Sequence, residues 1–133
     1  MSYKGFFEII LTELVQACEK KHAILTKIRI VLISLSESYS KIKLFTVLSR
    51  IIVSEALKNP VFYSELAGIL EDMITCEADF YDIRATLADF KSEEGSELFR
   101  VLYPAMCLNP PSALVICLYS QKYELVWMLI NKM

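Results

Sequence analysis

Apolar residues recur every three or four positions along almost the whole chain, the period of helices that turn one face inward. The first run, from about Ser2 to Cys18, places Phe7, Ile10, Leu14 and Cys18 on one stripe, widened by Leu11 and Val15. It ends at "EKKH", whose cations suit the partial negative charge of a helix C-terminus. A second helix from about His22 to Leu35 carries Ile24, Ile28, Val31 and Leu35. "SLSES" predicts its end, because serine hydroxyls bond to nearby backbone and favour turns. A third helix, about Ser38 to Leu57, sets Leu44, Leu48, Ile51 and Ile52 to one side and Ile42, Phe45 and Val53 to another.

"KNPVF" reads as a start signal, with Asn59 as N-cap and Pro60 at the first helical position, where its missing N–H costs nothing. The fourth helix then runs from about Pro60 to Ile74 and buries Phe62, Leu66, Ile69 and Met73; a fifth, after Thr75, carries Phe80, Ile83, Leu87 and Phe90. "KSEEGSE" predicts a loop, being charged and holding Gly95. A short sixth helix, about Ser96 to Met106, presents Leu98, Val101, Leu102 and Ala105. "LNPPS" stops it and starts another, with Asn109 and Pro110 repeating the cap expected at Asn59 and Pro60.

The seventh helix, about Pro111 to Asn131, is apolar on nearly every side. One stripe is Leu114, Cys117, Leu118, Leu125 and Met128, and another is Val115, Tyr119, Val126 and Ile130. A helix of that kind is either central or covered by a partner on one side. Gln121 falls inside the first stripe, where a buried amide must find partners, by capping a neighbouring helix or by reading a partner. Tyr119, Tyr123 and Trp127 follow one another at spacings of four, as core or as an interface. Seven helices with short connections predict an all-α domain over residues 1–133, with consecutive helices antiparallel. It is either a HEAT-like α-solenoid fragment or a compact helical bundle.

Composition agrees, since three glycines and four prolines in 133 residues leave little punctuation for many short strands. A net charge of −2 excludes a global field that pulls the chain onto nucleic acid or anionic lipid. The charge is uneven: between residues 71 and 97 only Arg84 and Lys91 oppose a long series of Asp and Glu. That acidic stretch is a solvated helical surface or a face for a basic partner. The N-terminus has acidic residues within its apolar run and no small-residue cleavage pattern, so no signal peptide is expected. The longest uncharged stretch, Val101 to Gln121, is interrupted by Pro104, Asn109, Pro110 and Pro111, which argues against a transmembrane segment.

Nothing in the sequence encodes catalysis, a metal or a cofactor. Cys18, Cys76, Cys107 and Cys117 are too dispersed for a zinc site or a disulfide framework and are expected as buried thiols in a reducing compartment. No phosphate-cradling glycine loop and no zinc-helix motif occurs. His22, the one histidine, reads as a surface residue at a helix start. Carboxylate pairs such as Glu71 with Asp72, or Asp79 with Asp82, sit among other charges on expected helix surfaces, without the desolvation that acid–base chemistry needs. A minimal enzyme built on Cys107 or Cys117 is the least supported reading.

The run "LADFKSEEGSELFRVLYPAMCLNPPSALVICLYSQKYELVWMLI" resembles the C-terminal region of the vacuole-morphology scaffold family, known in animals as ArPIKfyve. Arg84 and Leu87 match the family's R-x-x-L; Leu98, Phe99, Leu102 and Tyr103 match its L-F-x-x-L-Y. Cys107, Asn109 and Pro110 follow, then Cys117, Leu118, Gln121, Tyr123 and Glu124 in its C-L-x-x-Q-x-Y-E. Met106, Leu108 and Leu125 stand where the family has tryptophan, histidine and histidine.

The resemblance implies a non-enzymatic scaffold or oligomerisation module that binds a Sac-type phosphoinositide phosphatase and a phosphoinositide 5-kinase. It also implies self-association and a cytoplasmic place at the surface of an endosome or vacuole. Together with Trp127, the matched residues Asn109, Pro110, Cys117, Leu118, Gln121, Tyr123 and Glu124 become the candidate partner-binding set. The competing expectation is an unrelated small helical adaptor that takes a partner's amphipathic helix in a groove.

Overall fold

The computed structural model describes residues 3–132, which form nine α-helices, two short 3-10 turns and no strand. Helix α1 (Tyr3–Lys20) buries Phe7, Leu11, Val15 and Cys18, so its inward stripe is centred one position round from the one expected, leaving Ile10 and Leu14 half-buried. Its expected start at Ser2 lies outside the described residues.

The second helix of the sequence reading is two helices, α2 (His22–Leu25) and α3 (Ile28–Ser38). Thr26 makes the break, its hydroxyl donating to the Ala23 carbonyl at 2.8 Å. Beyond it Ile28, Leu32 and Ser36 are buried, while Val31 is exposed. "SLSES" does not end the helix either: the Ser36 hydroxyl bonds back to the Ile33 carbonyl at 2.6 Å, which satisfies it without breaking the backbone ladder. The chain turns at Tyr39 instead.

Ser40 caps α4 (Lys41–Glu55) by accepting from the Lys43 N–H at 3.4 Å. A 3-10 turn over Ala56–Lys58 leads to α5 (Pro60–Cys76), whose start is as expected: Pro60 stands at the first helical position and Asn59 Oδ1 accepts from the Phe62 N–H at 3.3 Å. A second 3-10 turn, Ala78–Phe80, leads to α6 (Tyr81–Ala88), which buries Ile83 and Leu87.

The loop expected at "KSEEGSE" lies earlier, because α7 (Glu93–Met106) begins inside that stretch. Ser92 accepts from the Gly95 N–H at 2.9 Å as a cap, and Glu93 and Glu94 suit the positive end of the helix. Gly95 is there for closeness rather than flexibility: a Cβ at this position would collide with the backbone carbonyls of Asp89 and Thr86. Helix α8 (Pro110–Tyr119) and helix α9 (Tyr123–Lys132) replace the single long helix expected to the C-terminus.

The pairs α4–α5 and α7–α8 lie against one another, α4 on α7 and α5 on α8, with α6 touching all four and α1 packed on α4. One apolar core runs through them, from Phe7 and Leu11 through Leu44, Leu48, Leu66 and Leu70 to Leu102, Ala113 and Ile116. Phe45 meets Phe80 edge to face at 5.1 Å, which joins α4 to the turn before α6. Polar ties are few. The Arg29 guanidinium of α3 bonds Asp72 of α5 and reaches Glu77 at 3.7 Å, and Arg84 donates to the Ile74 and Glu77 carbonyls at the end of α5.

Candidate functional site

Helix α8 is apolar around its circumference and buries Ser112, Ala113, Ile116 and Cys117. It ends because Gln121 adopts a left-handed backbone, with φ 57°. The Lys122 N–H then bonds the Cys117 carbonyl at 2.9 Å and the Gln121 N–H bonds the Leu118 carbonyl at 3.2 Å, the paired closure that ends many helices. Glycine usually holds that position; a glutamine holds it here, so its amide cannot lie in the apolar stripe, and Gln121 is exposed.

Lys122 fixes the turn in place. Its ammonium lies 5.9 Å from the ring centre of Phe90 and 5.5 Å from that of Phe99, and Phe99 stacks on Tyr103 at 5.2 Å. The sequence reading missed this aromatic seat for Lys122; the spacing of four between Phe99 and Tyr103, with Lys122 beside the matched Gln-x-Tyr-Glu, is the signal that was available.

Beyond the turn, α9 has no buried residue. Leu125, Val126 and Leu129 are half-buried, whereas Tyr123, Trp127 and Ile130 form an exposed stripe at spacings of four and three. Trp127 is 69% exposed and Tyr123 62% exposed, with Glu124 and the half-exposed Met128 beside them. The expected run Tyr119, Tyr123, Trp127 is therefore not one face of one helix: Tyr119 packs on the core at the end of α8 and the other two face solvent.

The candidate residues fall into three places. Tyr123, Glu124 and Trp127 share the outer side of α9, with Gln121 and the half-exposed Leu118 at the turn before it. Cys117 is inside the core, where burial first, and then the neighbouring Cys107, push its thiol up to about 11 against a smaller opposing effect of Lys122. Asn109 and Pro110 are at the far end of α8, roughly 13 Å along the helix axis from Tyr119. Contrary to the expected repeat of the Asn59 cap, the Asn109 side chain does not cap α8; its amide instead donates to the Ser64 carbonyl of α5 at 3.2 Å. Gly68, one turn on, leaves room for it, since a Cβ there would stand 2.7 Å from Asn109 Nδ2.

The other chemistry-bearing groups have structural partners or face solvent. His22 is exposed and pairs with Glu65 at 3.2 Å. Asp72 is held below the usual carboxylate range chiefly by the hydrogen bond from Arg29, and Glu71 accepts from Thr75 at 2.8 Å. Of the four cysteines expected to be buried only Cys18 and Cys117 are; Cys76 and Cys107 are exposed, because each ends a helix where the apolar stripe has run out. Tyr63, buried against Glu19 and Glu55, is pushed up to about 12, mostly by desolvation. Among the described residues no group of three or more His, Cys, Asp or Glu could hold a metal ion, and no helix is long and apolar enough to cross a membrane.

The described residues form an all-helical array in which α9 has no buried residue and the polar groups serve packing, the build of a helical scaffold region. The chain belongs to the family described as vacuolar protein 14 C-terminal Fig4p binding, whose model matches residues 21–133. That region of the family is a scaffold and not a catalytic part. No solved structure matches the chain.

Proposed function

We propose that this chain is a non-catalytic docking module for a Sac-type phosphoinositide phosphatase, the partner for which its family is described, and that α9 is the docking element. One observation carries the reading: a ten-residue helix with no fully buried residue turns a tryptophan, a tyrosine, a methionine and an isoleucine outward. Side chains of this kind in a well-packed interface supply most of the binding energy, and exposed together they cost solubility unless something covers them. Tyr123 and Glu124, the last two residues of the stretch shared with the family, stand at the start of this helix.

The mechanism is burial. Trp127 and Tyr123 enter a pocket of the phosphatase, Met128 adapts around them, and Glu124 stands at the rim. The aromatic seat of Lys122 holds the start of α9 against α7, so that little ordering is left to be done on binding. In the same reading the module also assembles with a phosphoinositide 5-kinase and with copies of itself, at the surface of an endosome or vacuole to which its partners bring it.

Co-purification with a Sac-type phosphatase tests this. Trp127→Ala and Tyr123→Ala are expected to lose the partner while keeping the thermal melt of the parent, because neither side chain is in the core. Retention of the phosphatase by the Trp127→Ala, Tyr123→Ala double variant would remove α9 as the docking element.

A further inference from the structure

We propose that the cleft between α4 and α7 is a second docking surface and that its occupant is a basic amphipathic helix of a partner protein. The cleft holds about 570 Å³. Its α4 wall is Ile42, Thr46 and Arg50, one helical turn apart, which makes the wall about 12 Å long and suits roughly two turns of a docked helix. Leu98 and Val101 on α7, with Ile42 opposite, give it an apolar floor.

Shape and apolarity alone would admit any amphipathic segment; charge selects among them. Glu93, Glu94 and Glu97 line the α7 side, all three exposed. The Arg50 guanidinium is the single cation among the lining residues. Glu97 pairs only with Arg100 on its own helix, at 3.4 Å and well exposed, and neither Glu93 nor Glu94 has an ion pair among the described residues. A helix with Leu or Ile toward the floor and Lys or Arg along one flank gains three attractions there, whereas an acidic helix meets three repulsions. Arg50 gives the seat a direction, since it favours the carbonyl end of the docked helix or an acidic residue placed there.

No residue of α8 or α9 lines the cleft, so the proposal stands whether or not α9 holds the phosphatase. It differs also from the acidic surface at Asp79 and Asp82, which are exposed and do not line this cleft.

The probe is a fluorescein-labelled synthetic helix with leucine at positions i, i+3, i+4 and i+7 and lysine along one flank, titrated with the whole chain and followed by anisotropy. Saturable one-to-one binding is expected. Glu94→Lys with Glu97→Lys should weaken it about tenfold, as attractions at a partly desolvated cleft become repulsions. Asp79→Lys with Asp82→Lys makes the same change in net charge away from the cleft and should shift it less than about twofold. Should the reversed pair disturb folding, seen in its melt, Glu94→Gln with Glu97→Gln keeps the side-chain shape and should still cost about threefold. Equal weakening by the Asp79 and Asp82 pair, or no saturable binding to the parent chain, overturns the proposal.

Discussion

Gln121 is the position where one side chain decides the course of the backbone. A glutamine in the left-handed region is strained against its own Cβ, and glycine is not. Gln121→Gly is therefore expected to raise stability by about 1 kcal/mol in a urea titration, with α9 unmoved. A drop would mean that the amide holds the turn. At Arg29 the size of the effect depends on pH. Its hydrogen bond lowers the Asp72 pKa below the unfolded value, so the pair's stabilisation is fully present above about pH 4 and fades as pH falls through the depressed value. Both side chains are more than a third exposed, so the difference between parent and Arg29→Ala at neutral pH should be below about 1 kcal/mol and should close in acid. The thiols sort by position in the same way. Cys18 and Cys117 should resist labelling in the native protein, and exposed Cys76 should react more slowly than a free thiol, because its hydrogen bond to Asp72 first, and desolvation after it, keep it protonated.

For the elements, the helical period gave away which segments are helical, and capping chemistry gave away the start of α5, because Asn59 and Pro60 act locally and need nothing from the rest of the fold. Two features were illegible for physical reasons. Gly95 looks like a loop residue, yet it is helical, and what selects it is the approach of the Asp89 and Thr86 carbonyls from the end of α6, a contact that no local pattern encodes. Elsewhere in a helix Gly→Ala stabilises by about 1 kcal/mol. Here the sign should reverse, with Gly95→Ala costing about 2 kcal/mol or more in thermal or urea unfolding, since the obstacle is backbone and cannot rotate away. The break between α8 and α9 was hidden differently. A helix apolar on all sides has no phase to lose when the chain turns, and "YSQKY" has neither glycine nor proline to mark the turn. The same ambiguity scattered the candidate residues: Cys117, Gln121 and Trp127 were expected on one long helix, whereas the turn leaves the first in the core and the last in water.

For the whole molecule, the consequence is a division of labour between a core that ends with α8 and an appendage that does not contribute to it. The core cluster reaches Ala113 and Ile116 and takes no fully buried residue from the described part of α9, whose half-buried Leu129 packs against it. The sequence could announce an excess of apolar surface near the C-terminus but not which part would be covered, since that depends on α5, α6 and α7 enclosing α8 first. Removal of residues 123–133 is thus expected to leave a cooperatively folding helical protein. The loss should be about 2–4 kcal/mol, from the partial burial of Leu125, Val126 and Leu129 against α8. If α9 is the docking element, the shortened chain should fail to retain a Sac-type phosphatase in co-purification while still binding a basic amphipathic helix at the α4–α7 cleft. If α9 were instead a structural lid, the same deletion would abolish the cooperative melt and both kinds of binding together, so circular dichroism and the two binding measurements on one variant separate the alternatives.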